Sequence, residues 1–200
     1  KSLGADALLH VTPYYNKTSQ RGLVAHFTAV ADATDLPVIL YNVPSRTGVN
    51  ILPETYRILS GHPHIAAAKE ASGNIEQVAQ IKTLCGDDLV LYSGNDDQIV
   101  PILSLGGKGV ISVLSNVMPE ETHEICARYF AGDVVGSASL QLELFDLIRA
   151  LFMDVNPIPV KEAMNLMGWK AGECRLPLVS MTEKQIETLA SIMKKHNLVK

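Results

Sequence analysis

Three side chains in this sequence combine reactivity with a placement that would make them useful. Lys69 closes the apolar run Ile65-Ala66-Ala67-Ala68. A lysine ending a strand that is buried on both faces is rarely kept unless it is paired or functional. Burial disfavours the ammonium, moves its pKa toward neutrality and leaves a nucleophilic amine. Period-two alternation puts Lys69 on one face with Ile65 and Ala67, and Glu70 on the other. The plainer alternative is that Lys69 pairs with Glu70 or another carboxylate. Tyr41 stands in the preceding apolar run, Val38–Val43, near its C-terminal end. A phenol there could carry protons to and from an amine adding to a carbonyl, or it could be a core tyrosine with a satisfied hydroxyl. Arg46 lies in the loop Pro44-Ser45-Arg46-Thr47-Gly48, where a guanidinium suits two-point capture of a carboxylate, the plainer alternative being a solvated loop arginine.

Other reactive residues fit structural roles better. His62-Pro63-His64 has no Cys or carboxylate nearby to complete a metal site and reads as a surface loop before a strand. Gly106-Gly107-Lys108-Gly109 leads into a strand, whereas phosphate loops lead into a helix N-terminus. Lys161 follows Asn156-Pro157-Ile158-Pro159-Val160 and reads as the opening of a helix after a rigid loop.

The elements that would position the three residues recur along the chain. Apolar runs at Ala7–Val11, Val38–Val43, Ile65–Ala68, Leu89–Tyr92 and Val110–Val113 read as buried strands, apolar on both faces. Amphipathic segments separate them at Ser19–Ala33, Pro53–Ser60, Asn74–Cys85 and Asp97–Leu105, with Asn74 and Gly86 placed as helix caps. Alternation of this kind implies a parallel sheet with right-handed crossovers. No GxGxxG opens a dinucleotide-binding turn. Polar residues gather instead after four successive strands, at Thr12–Asn16, Tyr41–Arg46, Lys69–Ser72 and Ser93–Asp96. Chemistry at one end of many strands favours a (β/α)8 barrel. Helical patterns dominate from Pro119 onward, with a break at Gly132-Asp133 followed by Val134–Met153, Val160–Met167 and Glu183–His196. The expected division is residues 1–132 in a barrel and 133–200 in a helical domain.

Composition bounds the partners. The 200 residues are 47% hydrophobic and 19% charged, with a net charge of −4, which argues against a nucleic-acid partner. No apolar run approaches the roughly 20 residues that a membrane helix needs. Cys85, Cys126 and Cys174 are odd in number and widely spaced, as in a reduced cytoplasmic protein.

Taken together, TPYYNK (Thr12–Lys17), YNVPSRTG (Tyr41–Gly48), KEASG (Lys69–Gly73), GVISV (Gly109–Val113) and NPIPVK (Asn156–Lys161) resemble the dihydrodipicolinate synthase family over the whole chain. The resemblance implies that Lys69 forms a Schiff base with pyruvate and that Tyr41 transfers protons. It implies that Tyr15 is lent across a dimer interface as part of a proton relay, and that Arg46 binds the carboxylate of L-aspartate 4-semialdehyde. Gly94 and Ile111 would line the pyruvate pocket, and Tyr14 would lie near an inhibitor site for lysine. It implies no metal and no cofactor, a cytoplasmic enzyme of lysine and diaminopimelate biosynthesis, and a homotetramer built as a dimer of dimers.

Against the family's pattern this sequence lacks a GTTGE-type motif, whose threonine would complete the relay and whose amides would hold the pyruvate carboxylate. The chain is therefore expected to be the C-terminal two-thirds of the family's fold, a partial TIM (β/α)8 barrel comprising strands four to eight with an all-α extension. It is expected to have an open sheet edge and to fall short of full turnover alone. Two other readings stay open. One is a sister aldolase, of the N-acetylneuraminate lyase or 2-keto-3-deoxy sugar acid type, from which Arg46 would distinguish it. The other is a non-catalytic scaffold piece.

Overall fold

The computed structural model describes all residues, Lys1–Lys200, as two compact units, Lys1–Ile111 and Ser112–Lys200.

The first unit alternates strand and helix. β1 (Leu8–Val11), β2 (Val38–Asn42), β3 (Ile65–Glu70) and β4 (Val90–Ser93) form one parallel sheet in the order β1-β2-β3-β4. Between them lie α1 (Gln20–Asp32), the single turn α2 (Pro44–Thr47), α3 (Pro53–Leu59) and α4 (Ile75–Cys85), and α5 (Ile99–Ser104) follows β4. Local chemistry sets the helix ends. Ser19 caps α1 by accepting from the Gly22 amide, and Asn74 caps α4 by accepting from the Gln77 amide at 3.1 Å. Gly86 ends α4 with φ 54, its amide returning to the Lys82 carbonyl.

The two faces of the sheet differ. Val38, Leu40, Ala68 and Leu91 point to one side and pack with Leu23, Phe27, Tyr56, Leu59, Val78 and Ile81 from the helices, in one core cluster. Leu9, Val11, Ile39, Tyr41, Lys69, Val90 and Tyr92 point to the other side and are exposed or half-buried. Tyr41 and Lys69 stand on this second face, at the C-terminal end of their strands.

In this unit three sequence expectations need correction. Ile65 does not share a face with Lys69. The β2–β3 register shifts between Val38↔Ile65 and Ile39↔Ala67, so Ala66 is an extra residue and Ile65 turns into the core beside Ala68. The fifth apolar run is not a full strand. It holds to β4 through Lys108 N to Leu91 O (2.8 Å), Ser93 N to Gly109 O (2.9 Å) and Ile111 N to Ser93 O (2.9 Å), then winds into a 3-10 turn at Leu114–Asn116. The Pro44–Gly48 loop is a helical turn, opened by Pro44 and closed by Gly48 in the left-handed region.

The second unit is helical throughout: α6 (Pro119–Phe130), α7 (Val134–Glu143), α8 (Phe145–Ala150), α9 (Ile158–Leu166) and α10 (Glu183–Lys195). Helix α6 packs on α7 and on the Leu114–Asn116 turn, and α10 packs on α8 and α9. The single helix expected over Val134–Met153 is broken at Leu144, whose φ of −86 and ψ of 0 end α7 and begin α8. The helices part at Gly132-Asp133, where the break was expected, and Asp133 caps α7 by accepting from the Gly136 amide. The compact units part at Ile111, and α6 packs within the helical unit. No helix is long and apolar enough to cross a membrane.

The facing of α1 and α3 gives a direct check. Phe27 is fully buried, whereas Ile58 is 61% exposed. Phe27→Ala should lower unfolding free energy by about 3–5 kcal/mol in urea titrations, and Ile58→Ala by less than about 1 kcal/mol. The reverse order would contradict the packing.

Candidate active site

Parallel pairing sets one row of side chains across the sheet. Val11 is opposite Tyr41, Tyr41 opposite Lys69, and Lys69 opposite Tyr92. Neighbouring strands lie about 4.8 Å apart, so each member of the row stands next to the following one. The Lys69 Nζ sits over the Tyr41 ring, 4.2 Å from its centroid. Tyr92 stands on the other side of Lys69 and did not stand out in the sequence, where it only ends an apolar run. Its signal was positional: it follows Leu89 in the run just as Tyr41 follows Val38 in its own.

Burial sets the electrostatics of the pair. It pushes the Lys69 amine below the usual lysine range, opposed by the negative charge of Asp96, which is buried in the 3-10 turn Asp96–Gln98. Burial also pushes the Tyr41 phenol up, opposed by the positive charge of Arg46. Lysine thus tends toward free amine and tyrosine toward neutral phenol, the forms that add to a carbonyl and exchange a proton with it. The alternative that Lys69 is consumed in an ion pair with Glu70 is not met: Glu70 is turned to the opposite face and forms no ion pair.

Gly94 fits this crowding. A Cβ there would lie 2.7 Å from the Ala71 Cβ and 3.2 Å from the Lys69 Cε, so only glycine lets the backbone pass beside Lys69. The Gly94 amide bonds to the Glu70 carbonyl (2.8 Å), as the Ile111 amide does to the Ser93 carbonyl (2.9 Å). Both N–H groups are therefore engaged in fixing strand ends.

Arg46 rides on α2, exposed at the edge of a cavity of about 480 Å³ lined by Leu9, Val11, Tyr14, Tyr41, Val43, Arg46 and Thr47. The Thr47 hydroxyl bonds Val43 and Val49 backbone groups and holds the turn. Gly48 ends it with φ 65, and a Cβ there would fall 2.6 Å from the Lys17 Nζ. The structure thus brings together Tyr41, Arg46 and Tyr14 around one cavity, with Lys69 beside Tyr41 and Gly94 beside Lys69. Tyr15 is 89% exposed and does not line that cavity, and neither does Ile111.

Residues set aside in the sequence have structural partners. His62 Nε2 meets the Asp32 carboxylate at 3.0 Å and His64 Nδ1 meets the Ala31 carbonyl at 3.0 Å, tying the end of α1 to the loop before β3. The Lys161 Nζ donates to the Glu173 carbonyl (2.6 Å) inside the helical unit. No group of three His, Cys, Asp or Glu side chains is placed to hold a metal ion.

Residues 1–196 match the model of the Dihydrodipicolinate synthetase family. The chain belongs to that family. It is 62% identical over 189 residues to the 4-hydroxy-tetrahydrodipicolinate synthase of Caldicellulosiruptor saccharolyticus, covering 94% of this chain and 64% of that protein. The chain thus spans just under two thirds of the length of that relative. The crystal structure of the dihydrodipicolinate synthase of Thermotoga maritima superposes with a TM-score of 0.95 at 45% identity, over 99% of this chain and 68% of that one. The enzyme of Acinetobacter baumannii, solved in complex with pyruvate, superposes with a TM-score of 0.94 at 38% identity, over 99% of this chain and 68% of that one. These neighbours imply a TIM-barrel-like α/β fold with C-terminal helices for this chain.

The Lys69 environment has a measurable consequence. Competitive acylation followed by peptide mapping should show Lys69 losing its proton at lower pH than the exposed lysines of the family member described here. An amine whose folded pKa is depressed penalises folding while it is protonated, and that penalty fades as pH rises from the folded to the unfolded value. Stability should therefore rise with pH through that window, and Lys69→Met should flatten the rise. Co-titration of Lys69 with the exposed lysines would contradict the burial argument.

Proposed function

We propose that this chain carries the Schiff-base centre of a 4-hydroxy-tetrahydrodipicolinate synthase, condensing pyruvate with L-aspartate 4-semialdehyde in lysine and diaminopimelate biosynthesis. The observation that carries the reading is the half-buried Lys69 amine against the Tyr41 ring, in register across adjacent parallel strands. Family membership and the names of the relatives support it.

The Lys69 amine adds to the pyruvate ketone, and the carbinolamine loses water to give an iminium. Tyr41, as a neutral phenol, takes and returns the protons of those steps. The iminium withdraws electrons from the neighbouring methyl, which loses a proton to become an enamine. The enamine carbon attacks the aldehyde of the second substrate, whose carboxylate Arg46 receives at the cavity mouth. The amine of that substrate then attacks the former ketone carbon, closing the ring and releasing Lys69. The protonated imine is the electron sink, a role that cofactors fill in other enzymes, so this route calls for neither metal nor organic cofactor.

The assignment of the first unit to strands four to eight of a barrel belongs to this proposal, as does a barrel part running to residue 132. So do pyruvate contacts from the backbone at Gly94 and Ile111, and a place for Tyr14 near an inhibitor site. The 89% exposure of Tyr15 suits a side chain that serves a neighbouring protomer, and supports a homo-oligomer of the tetrameric kind. The biosynthetic role sets the protein in the cytoplasm. The sister aldolases remain the alternative, and Arg46 weighs against them.

The test is aldehyde choice. Given pyruvate, whatever condensation the chain performs, even well short of full turnover, should prefer L-aspartate 4-semialdehyde over N-acetylmannosamine, and the reverse preference would overturn the reading. Arg46→Ala should raise KM for the aldehyde about tenfold or more while leaving that for pyruvate nearly unchanged.

A further inference from the structure

Directly behind the Tyr41–Lys69 pair stands a second pair in the next register position, Asn42 opposite Glu70. Both are buried, at 0% and 1% exposure, on the helix-covered face. Glu70 accepts hydrogen bonds from donors on three sides. Asn42 Nδ2 reaches both carboxylate oxygens, at 3.2 and 3.1 Å, the Tyr56 hydroxyl donates to Oε2 at 2.9 Å, and the Ser72 amide donates to Oε1 at 2.9 Å. Every group that reaches Glu70 is a donor, so the side chain serves purely as an acceptor. Asn42 in turn accepts from the Ile51 amide at 3.0 Å and donates to Asn50 Oδ1 at 2.8 Å. Asn50 exchanges hydrogen bonds with Gln77 of α4 (2.7 and 3.2 Å), and the Asn50 carbonyl accepts from Gln20 of α1 (2.8 Å).

A buried carboxylate is costly to place among helices unless its bonds achieve something a hydrophobic residue could not. Here they fix the ends of β2 and β3 to each other, to α3, and to the segment that follows the Arg46 turn. We propose that Glu70 is the positioning residue of the Schiff-base centre, acting with Asn42 to hold Tyr41 against Lys69. This rests on the functional reading above. Because the four residues occupy consecutive positions of one register, displacing Asn42 from Glu70 moves Tyr41 from Lys69. Misplacement of about 1 Å at such a centre can cost on the order of a hundredfold in rate.

The test reads exchange of the pyruvate methyl protons for deuterium by proton NMR, a partial reaction that needs the Lys69 iminium and a proton carrier. Wild-type protein should exchange them above the buffer rate and Lys69→Met should not; absence of wild-type exchange would sink the functional reading rather than this one. Glu70→Gln, normalised to the fraction folded by circular dichroism, should slow exchange about tenfold or more. In a Tyr41→Phe background, the same change should cost little further, because the partner it positions is already gone. A Glu70→Gln variant that is folded and exchanges at the wild-type rate would overturn the proposal, as would losses that multiply in the double variant. Should Glu70→Gln fail to fold, Tyr56→Phe keeps the carboxylate and removes one donor. It should slow exchange severalfold, and an unchanged rate would likewise overturn the proposal.

Discussion

The register between β2 and β3 is the constraint on which the rest of this chain depends. It puts Tyr41 beside Lys69 on one face and Asn42 beside Glu70 on the other. A slip of one residue would exchange the faces, sending a lysine into the helix-packed core and a carboxylate toward the cavity. The bulge at Ala66 is part of the same constraint. It lets Ile65 enter the core early in the strand while Lys69 still arrives on the reactive face.

The two faces then divide the work. The helix side supplies stability through Leu23, Phe27, Leu40, Tyr56, Ile81 and Leu91, and anchors the strand ends through a buried polar network. The opposite side is only partly covered and presents the Tyr41–Lys69 pair. Lys69 is desolvated enough to move toward the free amine, yet only half-buried, and burial shifts Tyr41 further toward the neutral phenol. Arg46 needs neither burial nor the sheet, and the single turn opened by Pro44 and ended by Gly48 carries it to the cavity edge.

Much of this was legible in the sequence. The βα alternation, the capping roles of Asn74 and Gly86, the break at Gly132-Asp133, and the gathering of Tyr41, Lys69 and Gly94 at one end of the strands all follow from patterns that repeat locally. What escaped depends on register and packing. The Ala66 bulge has no signature within an apolar run of alanines, so strict alternation misplaced Ile65. Tyr92 became a neighbour of Lys69 only once β3 and β4 were paired. The Asn42–Glu70 network joins residues 28 apart, and nothing in either segment alone announces the other. The last apolar run looked like its predecessors, but its residues beyond Ile111 wind into a turn. The break at Leu144 carries no glycine or proline to mark it.

The most direct measurement is reduction of the protein with borohydride in the presence of pyruvate, followed by peptide mass mapping. The account predicts a single stable adduct, on Lys69. An adduct on Lys161, or a wild-type protein in which Lys69 stays unlabelled, would contradict it.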